Sequence, residues 1–193
     1  MDDAVVRDRV VGAADRLFYA NGVRAVGMDA VRSEAQVSLK RIYGLFPSKD
    51  DLVVAVLHRR TQQWATGLEA AASAATTRRE RLLAVFDFLD SWFREDDFRG
   101  CAFINSFGEL GATSPAVAEA VRAQKATFQH YVLTLVREEG LPDAVAAQLA
   151  ILAEGAQTTA AISGDPVAAA QAREAATVLV DAALARREHD PVV

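Results

Sequence analysis

Apolar residues in this chain recur at spacings of three and four almost from end to end, and that period constrains the fold more than any other feature. Val6, Val10, Ala13, Ala14, Leu17 and Phe18 mark one such stripe, the signature of an amphipathic helix. No stretch of β-branched residues alternates with polar ones for long enough to make a strand. Alanine is abundant, and the few glycines and prolines sit mostly between apolar runs. The expectation is an all-α protein of about nine helices. With 193 residues the chain is long enough to bury a core without a metal or disulfide staple. Its single cysteine, Cys101, cannot form an internal disulfide, which fits a reducing, cytoplasmic setting. The start, Met1-Asp2-Asp3, is acidic and unlike an export signal. The longest stretch without a formal charge, residues 126–136, falls well short of the roughly 20 residues a membrane span needs.

The first fifty residues carry the most specific pattern. A helix over residues 4–20 is ended by Asn21-Gly22, and a short helix from Met28 to Ala35 buries Val31. Ser38 caps a second short helix, Leu39 to Leu45, which Phe46-Pro47-Ser48 breaks. Ser48-Lys49-Asp50-Asp51 resembles a capping box and opens a helix running through Leu52 and Trp64 to about residue 75. Two short helices joined by a tight turn and braced by a longer one form a helix-turn-helix, which presents the second short helix to the DNA major groove. The net charge of −5 argues against nucleic-acid binding only on average. Residues 1–50 hold eight basic and seven acidic side chains, and Gln36 to Lys49 contains Lys40, Arg41 and Lys49 with no acid. Three cations alone describe any solvated helix face; on a recognition helix they meet phosphates and base edges. Lys40 and Arg41 are placed for that, Tyr43 to donate its hydroxyl to the DNA backbone while half-packed, and Lys49 to meet a phosphate at a helix N-terminus.

The runs Leu17-Phe18-Tyr19-Ala20-Asn21-Gly22, Asp29-Ala30-Val31 and Val37-Ser38-Leu39-Lys40-Arg41-Ile42-Tyr43-Gly44-Leu45-Phe46-Pro47-Ser48-Lys49-Asp50-Asp51-Leu52 closely resemble the DNA-binding segment of TetR/AcrR transcriptional regulators. They cover about the first quarter of the chain. The resemblance implies a three-helix DNA-binding domain over residues 1–50 and an effector-binding and dimerisation domain over 51–193. It places Met28, Ser38, Leu39, Lys40, Arg41, Tyr43, Gly44 and Lys49 at the DNA. Gln36 stands where the family often has glycine, Val26-Gly27-Met28 where a threonine or serine precedes the second helix, Arg41 for a threonine, and Leu45 for a histidine or tyrosine.

Beyond residue 75, Thr77-Arg78-Arg79-Glu80 reads as a capping box opening a helix that is apolar nearly all round, with only Asp87, Asp90 and Ser91 polar between Leu82 and Phe93. Further helices run from about residue 100 to Leu110 and from Pro115 to Gly140. Six of the nine phenylalanines (Phe86, Phe88, Phe93, Phe103, Phe107, Phe128), with Trp92 and Tyr131, lie in these three helices. An ordinary aromatic core has this composition, and so does an apolar cavity with a few polar groups. The resemblance implies that a small apolar or amphipathic effector is held here, with Phe86, Leu89, Trp92, Phe103, Asn105, Phe107, Phe128 and Tyr131 as its candidate contacts. The last two helices, from Asp143 to Ile162 and from Val167 to Arg187, carry small residues at helical spacing. That pair packs within its own domain or, as the resemblance implies, meets a two-fold copy in a homodimer reading a palindromic operator.

Catalytic constellations are lacking. His58, His130 and His189 are far apart and without cysteine partners or an HExxH pattern, so no metal and no cofactor is expected. Asp87 and Asp90 form the one carboxylate pair on an apolar helix, read most simply as a solvated strip. The function expected is a repressor released by its effector. The alternatives are an effector-independent dimeric DNA-binding protein, or an all-helical binding protein or enzyme with a vestigial DNA-binding head.

Overall fold

The computed structural model describes residues 2–189; Met1, part of the acidic start, lies outside them. Among the described residues there are nine α-helices and no strand: α1 (Asp3–Asn21), α2 (Met28–Ala35), α3 (Leu39–Leu45), α4 (Lys49–Ser73), α5 (Arg78–Phe93), α6 (Ala102–Leu110), α7 (Pro115–Glu138), α8 (Asp143–Ser163) and α9 (Val167–His189). None of these helices is long and apolar enough to cross a membrane.

By packing, the chain divides into two compact units. One comprises the residues up to Gln63 together with Cys101–Gln124; the other comprises Trp64–Gly100 and the residues from Lys125 on. These cuts differ from the boundary expected at residue 50. Helix α6 and the first part of α7 pack with the head helices, and α4 contributes residues to each unit.

In the first unit, α1, α2 and α3 contact one another in all three pairings. Val10 and Ala14 of α1, Val31 of α2, Ile42 of α3 and Leu52 of α4 are fully buried, with Phe18 and Phe46 nearly so. Burying each of the larger of these side chains favours folding by about 1.5–3 kcal/mol. The element ends follow their caps. Asp2 accepts the Ala4 N–H at 3.2 Å, Gly22 ends α1 at φ +85°, and Ser38 Oγ accepts the Arg41 N–H at 3.3 Å. Ser48 and Asp51 cap α4 reciprocally, Ser48 N–H to Asp51 at 2.9 Å and Asp51 N–H to Ser48 Oγ at 3.1 Å. Between α2 and α3, Gln36 takes the left-handed conformation at φ +54° and its N–H returns to α2, while the Val37 N–H reaches the Arg32 carbonyl at 3.3 Å. This is a Schellman-type ending, and it is why the turn is tight.

Helix α2 has no side-chain cap. Gly27 occupies the N-cap position in extended conformation, and a Cβ added there meets nothing within 4 Å. Gly27→Ser supplies a cap oxygen and reduces the entropy of the unfolded chain, and should stabilise the protein by about 0.5–1 kcal/mol. The expected readout is a melting temperature higher by about 1–4 °C; an equal or lower value would contradict the account of this turn.

The second unit is built on α5, α8 and α9, which contact one another. Ala153, Ala156 and Ala160 on α8 and Ala169, Ala172, Ala176 and Ala183 on α9 are buried, so small side chains line the helix faces turned to the core. Leu82, Leu83, Phe86 and Leu89 of α5, Phe128 and Val132 of α7 and Leu149 of α8 share that core. The start of α5 is a full capping box: Glu80 accepts the Thr77 N–H at 3.0 Å while Thr77 Oγ1 accepts the Glu80 N–H at 3.1 Å. Hydrogen bonds from the Thr76 hydroxyl and the two backbone N–H groups hold the Glu80 carboxyl below the usual glutamate range. Trp64 of α4 stands edge-on to Phe88, Trp92 and Phe128 at ring-centroid distances of 5.5, 6.2 and 5.0 Å. Gly67, one turn along α4 from Trp64, leaves the space the Phe88 ring occupies; a Cβ there would lie 2.3 Å from the ring.

Candidate nucleic-acid interface

Helix α3 turns one side chain fully inward, Ile42. Ser38, Lys40, Arg41, Tyr43 and Gly44 are exposed, and Leu39 is half-buried, as is Met28 at the start of α2. Nothing lies within 4 Å of a Cβ built on Gly44. The result is a short outward rod carrying two cations, a phenol 45% exposed and a gap where a partner backbone can approach.

The expected cations differ in their surroundings. Lys40 has no ion-pair or hydrogen-bond partner among the described residues. Arg41 pairs with Asp3 of α1, an interaction the sequence did not suggest because 38 residues separate the two. Both side chains are well exposed, so the pair is worth at most about 1 kcal/mol and exchanges readily for a phosphate. Lys49 is turned inward. Its Nζ donates to the Val23 carbonyl at 2.6 Å and lies 5.8 Å from the Phe18 ring centroid. Burial lowers the Lys49 pKa, opposed by the charges of Glu109 and Asp50. Glu109, on α6, accepts the N–H groups of Val23 and Arg24. Long-range contacts of this kind leave no periodic trace in a sequence.

Of the residues expected at an effector, five share the core cluster of the second unit: Phe86, Leu89 and Phe128 buried, Trp92 and Tyr131 partly so. Burial, with the charge of Glu69 next, raises the Tyr131 pKa. Phe103, Asn105 and Phe107 lie on α6 in the first unit, with Phe103 buried and Phe107 44% exposed. Asn105 helps line a cavity of about 130 Å³ with Phe18, Gly22, Val23, Ser106 and Glu109. The carboxylate pair of α5 is engaged by arginines: Asp87 by Arg173 at 2.6 Å, Asp90 by Nε and Nη2 of Arg94 at 2.8 and 2.9 Å. The Arg94 hydrogen bonds hold the Asp90 carboxyl below its usual range.

Residues 10–56 match the family model described as bacterial regulatory proteins, tetR family, and residues 79–176 match the tetracyclin repressor-like C-terminal domain. The chain belongs to the TetR family. A solved TetR-family transcriptional regulator from Streptomyces coelicolor is 30% identical and superposes with a TM-score of 0.84 over 93% of this chain and 96% of that one. One from Streptomyces avermitilis is 31% identical, with a TM-score of 0.80 over 92% and 97%. The HTH-type transcriptional activator FasR of Mycolicibacterium smegmatis is 34% identical over 137 residues, 70% of this chain and 61% of that protein. The chain thus spans about 60% of the length of the curated relatives it matches.

The departures from the TetR pattern have local structural consequences. Gln36, in the turn where the family often has glycine, is the one non-glycine residue at positive φ among those described, which for an L-residue costs about 1–2 kcal/mol. Gly27 leaves α2 uncapped. The Leu45 carbonyl accepts Arg7 Nη1 at 3.3 Å, and the Arg7 guanidinium lies 4.4 Å over the Phe46 ring, so the end of α3 is tied back to α1.

Proposed function

We propose that this protein is a cytoplasmic, homodimeric regulator of transcription that binds a palindromic operator through α3 and is not an enzyme. The outward rod of α3, buried only at Ile42, carries the reading. Ser38, Leu39, Lys40, Arg41, Tyr43 and Gly44 meet the DNA with Met28 at the start of α2, and the functional boundary between head and body falls near residue 50. Support for the dimer comes from α8 and α9. Of the large apolar side chains exposed among the described residues, Ile151, Ile162, Val167 and Val178 lie on these two helices. A two-fold axis there sets two recognition helices about 34–36 Å, or a multiple, apart.

The regulator represses, and a small apolar or amphipathic effector releases it, held beside Phe86, Leu89, Trp92, Phe128 and Tyr131. Coupling of about 1–3 kcal/mol between effector and DNA suffices for a switch. The name of the relative FasR, a transcriptional activator, favours a second reading of the sign of regulation. A reporter driven by the operator separates the two, falling under repression and rising under activation.

Selection of duplexes from a random pool by the purified protein tests the main claim. The expected product is an inverted repeat with half-sites spaced by about one helical turn or a multiple. A pool that acquires no common sequence would overturn it.

A further inference from the structure

We propose that Glu109 of α6 is a positioning residue for DNA reading, an inference that rests on the DNA-binding function proposed above. Its carboxylate accepts two consecutive backbone N–H groups in the turn between α1 and α2, Val23 at 2.9 Å and Arg24 at 2.7 Å. Adjacent N–H groups pointing one way form a concave anion site, and bonds to an ionised acceptor are stronger than neutral ones. The carbonyl of the same Val23 accepts Lys49 Nζ at 2.6 Å. One buried residue is therefore gripped from both sides, through its N–H by an anion on α6 and through its C=O by a cation at the start of α4.

The grip bears on DNA because the gripped turn leads directly into the helix-turn-helix. Helix α2 starts four residues after Arg24, and α2 packs on α3. Fixing the turn fixes where that pair begins. The close approach also explains Gly22: besides its φ of +85°, a Cβ there would stand 3.2 Å from Glu109 Oε1.

The charge of Glu109 separates this role from simple DNA contact. An acidic side chain near a phosphate backbone weakens binding, so removing Glu109 should raise non-specific affinity. Positioning predicts the opposite for the specific site. Full-length protein, Glu109→Gln and Glu109→Asp are compared on the selected inverted repeat and on a scrambled duplex of equal length, at one salt concentration. Amide hydrogen exchange at Val23 and Arg24 is followed in parallel. Glu109→Gln keeps the side-chain shape and one acceptor oxygen but sets an NH2 group against the other amide, so at least one of the two amides should lose protection. Affinity for the inverted repeat should then fall about 10-fold or more while affinity for the scrambled duplex holds or rises. Glu109→Asp should recover part of the loss. An unchanged ratio of specific to scrambled affinity in Glu109→Gln, or wild-type protection at the two amides, would overturn the assignment. Wild-type protein that does not distinguish the duplexes would instead overturn the DNA-binding function itself.

Discussion

Arg60→Ala should lower the stability of the protein by about 2–3 kcal/mol, read as a matching drop in the free energy of unfolding in urea. Arg60 on α4 pairs through Nε with Asp15 on α1, and the two side chains are only 18% and 12% exposed. The Arg60 guanidinium also lies 3.9 Å over the Tyr19 ring. Truncation leaves the Asp15 carboxylate desolvated without its counter-charge. Breaking a wholly buried pair costs about 3–5 kcal/mol, and the residual exposure here places the effect below that range. The double variant Asp15→Ala, Arg60→Ala leaves no orphan charge. It should therefore be more stable than the sum of the single losses predicts. Additive losses, or a loss below about 0.5 kcal/mol for Arg60→Ala, would show that the pair does not join α1 to α4 in the way described.

Lys40→Ala should weaken binding to the operator about 10- to 100-fold and leave stability within about 0.5 kcal/mol of wild type. Lys40 is exposed and has no partner among the described residues, so its removal touches nothing in the fold. In a dimer the substitution removes two phosphate contacts, and the slope of log K against log salt should become shallower by about 2. Arg41→Ala should behave alike, since the Asp3 pair it breaks is exposed at both ends. Lys49→Ala should differ. Its Nζ holds the Val23 carbonyl, so DNA affinity and stability fall together. Binding unaffected by Lys40→Ala would remove α3 from the interface.

Most of the helical layout was legible in the sequence because its signals are local. The Ser38 cap, the Thr77-Glu80 box and the Gly22 ending each sit within a turn of the helix they bound, and each expected helix has its counterpart. What the sequence hid is carried by pairs far apart in the chain. Asp3 with Arg41, Asp15 with Arg60 and Glu109 with Val23 are 38, 45 and 86 residues apart. Lys49 is a further case: its place at a helix start is a local signal, whereas the Val23 carbonyl beside its Nζ lies 26 residues away in the chain. Likewise, the aromatic residues of α5, α6 and α7 are alike in sequence, yet those of α6 pack in the first unit and those of α5 in the second. Packing partners, not composition, make that division.

The most direct measurement is a titration of full-length protein into a labelled inverted-repeat duplex at salt concentrations from about 50 to 200 mM, with the mass of the complex determined by sedimentation. Two copies of α3 meeting one duplex, together making about six or more phosphate contacts, predict two chains per duplex and an affinity falling about 1,000-fold or more across that range. One chain per duplex, or an affinity indifferent to salt, would contradict the account.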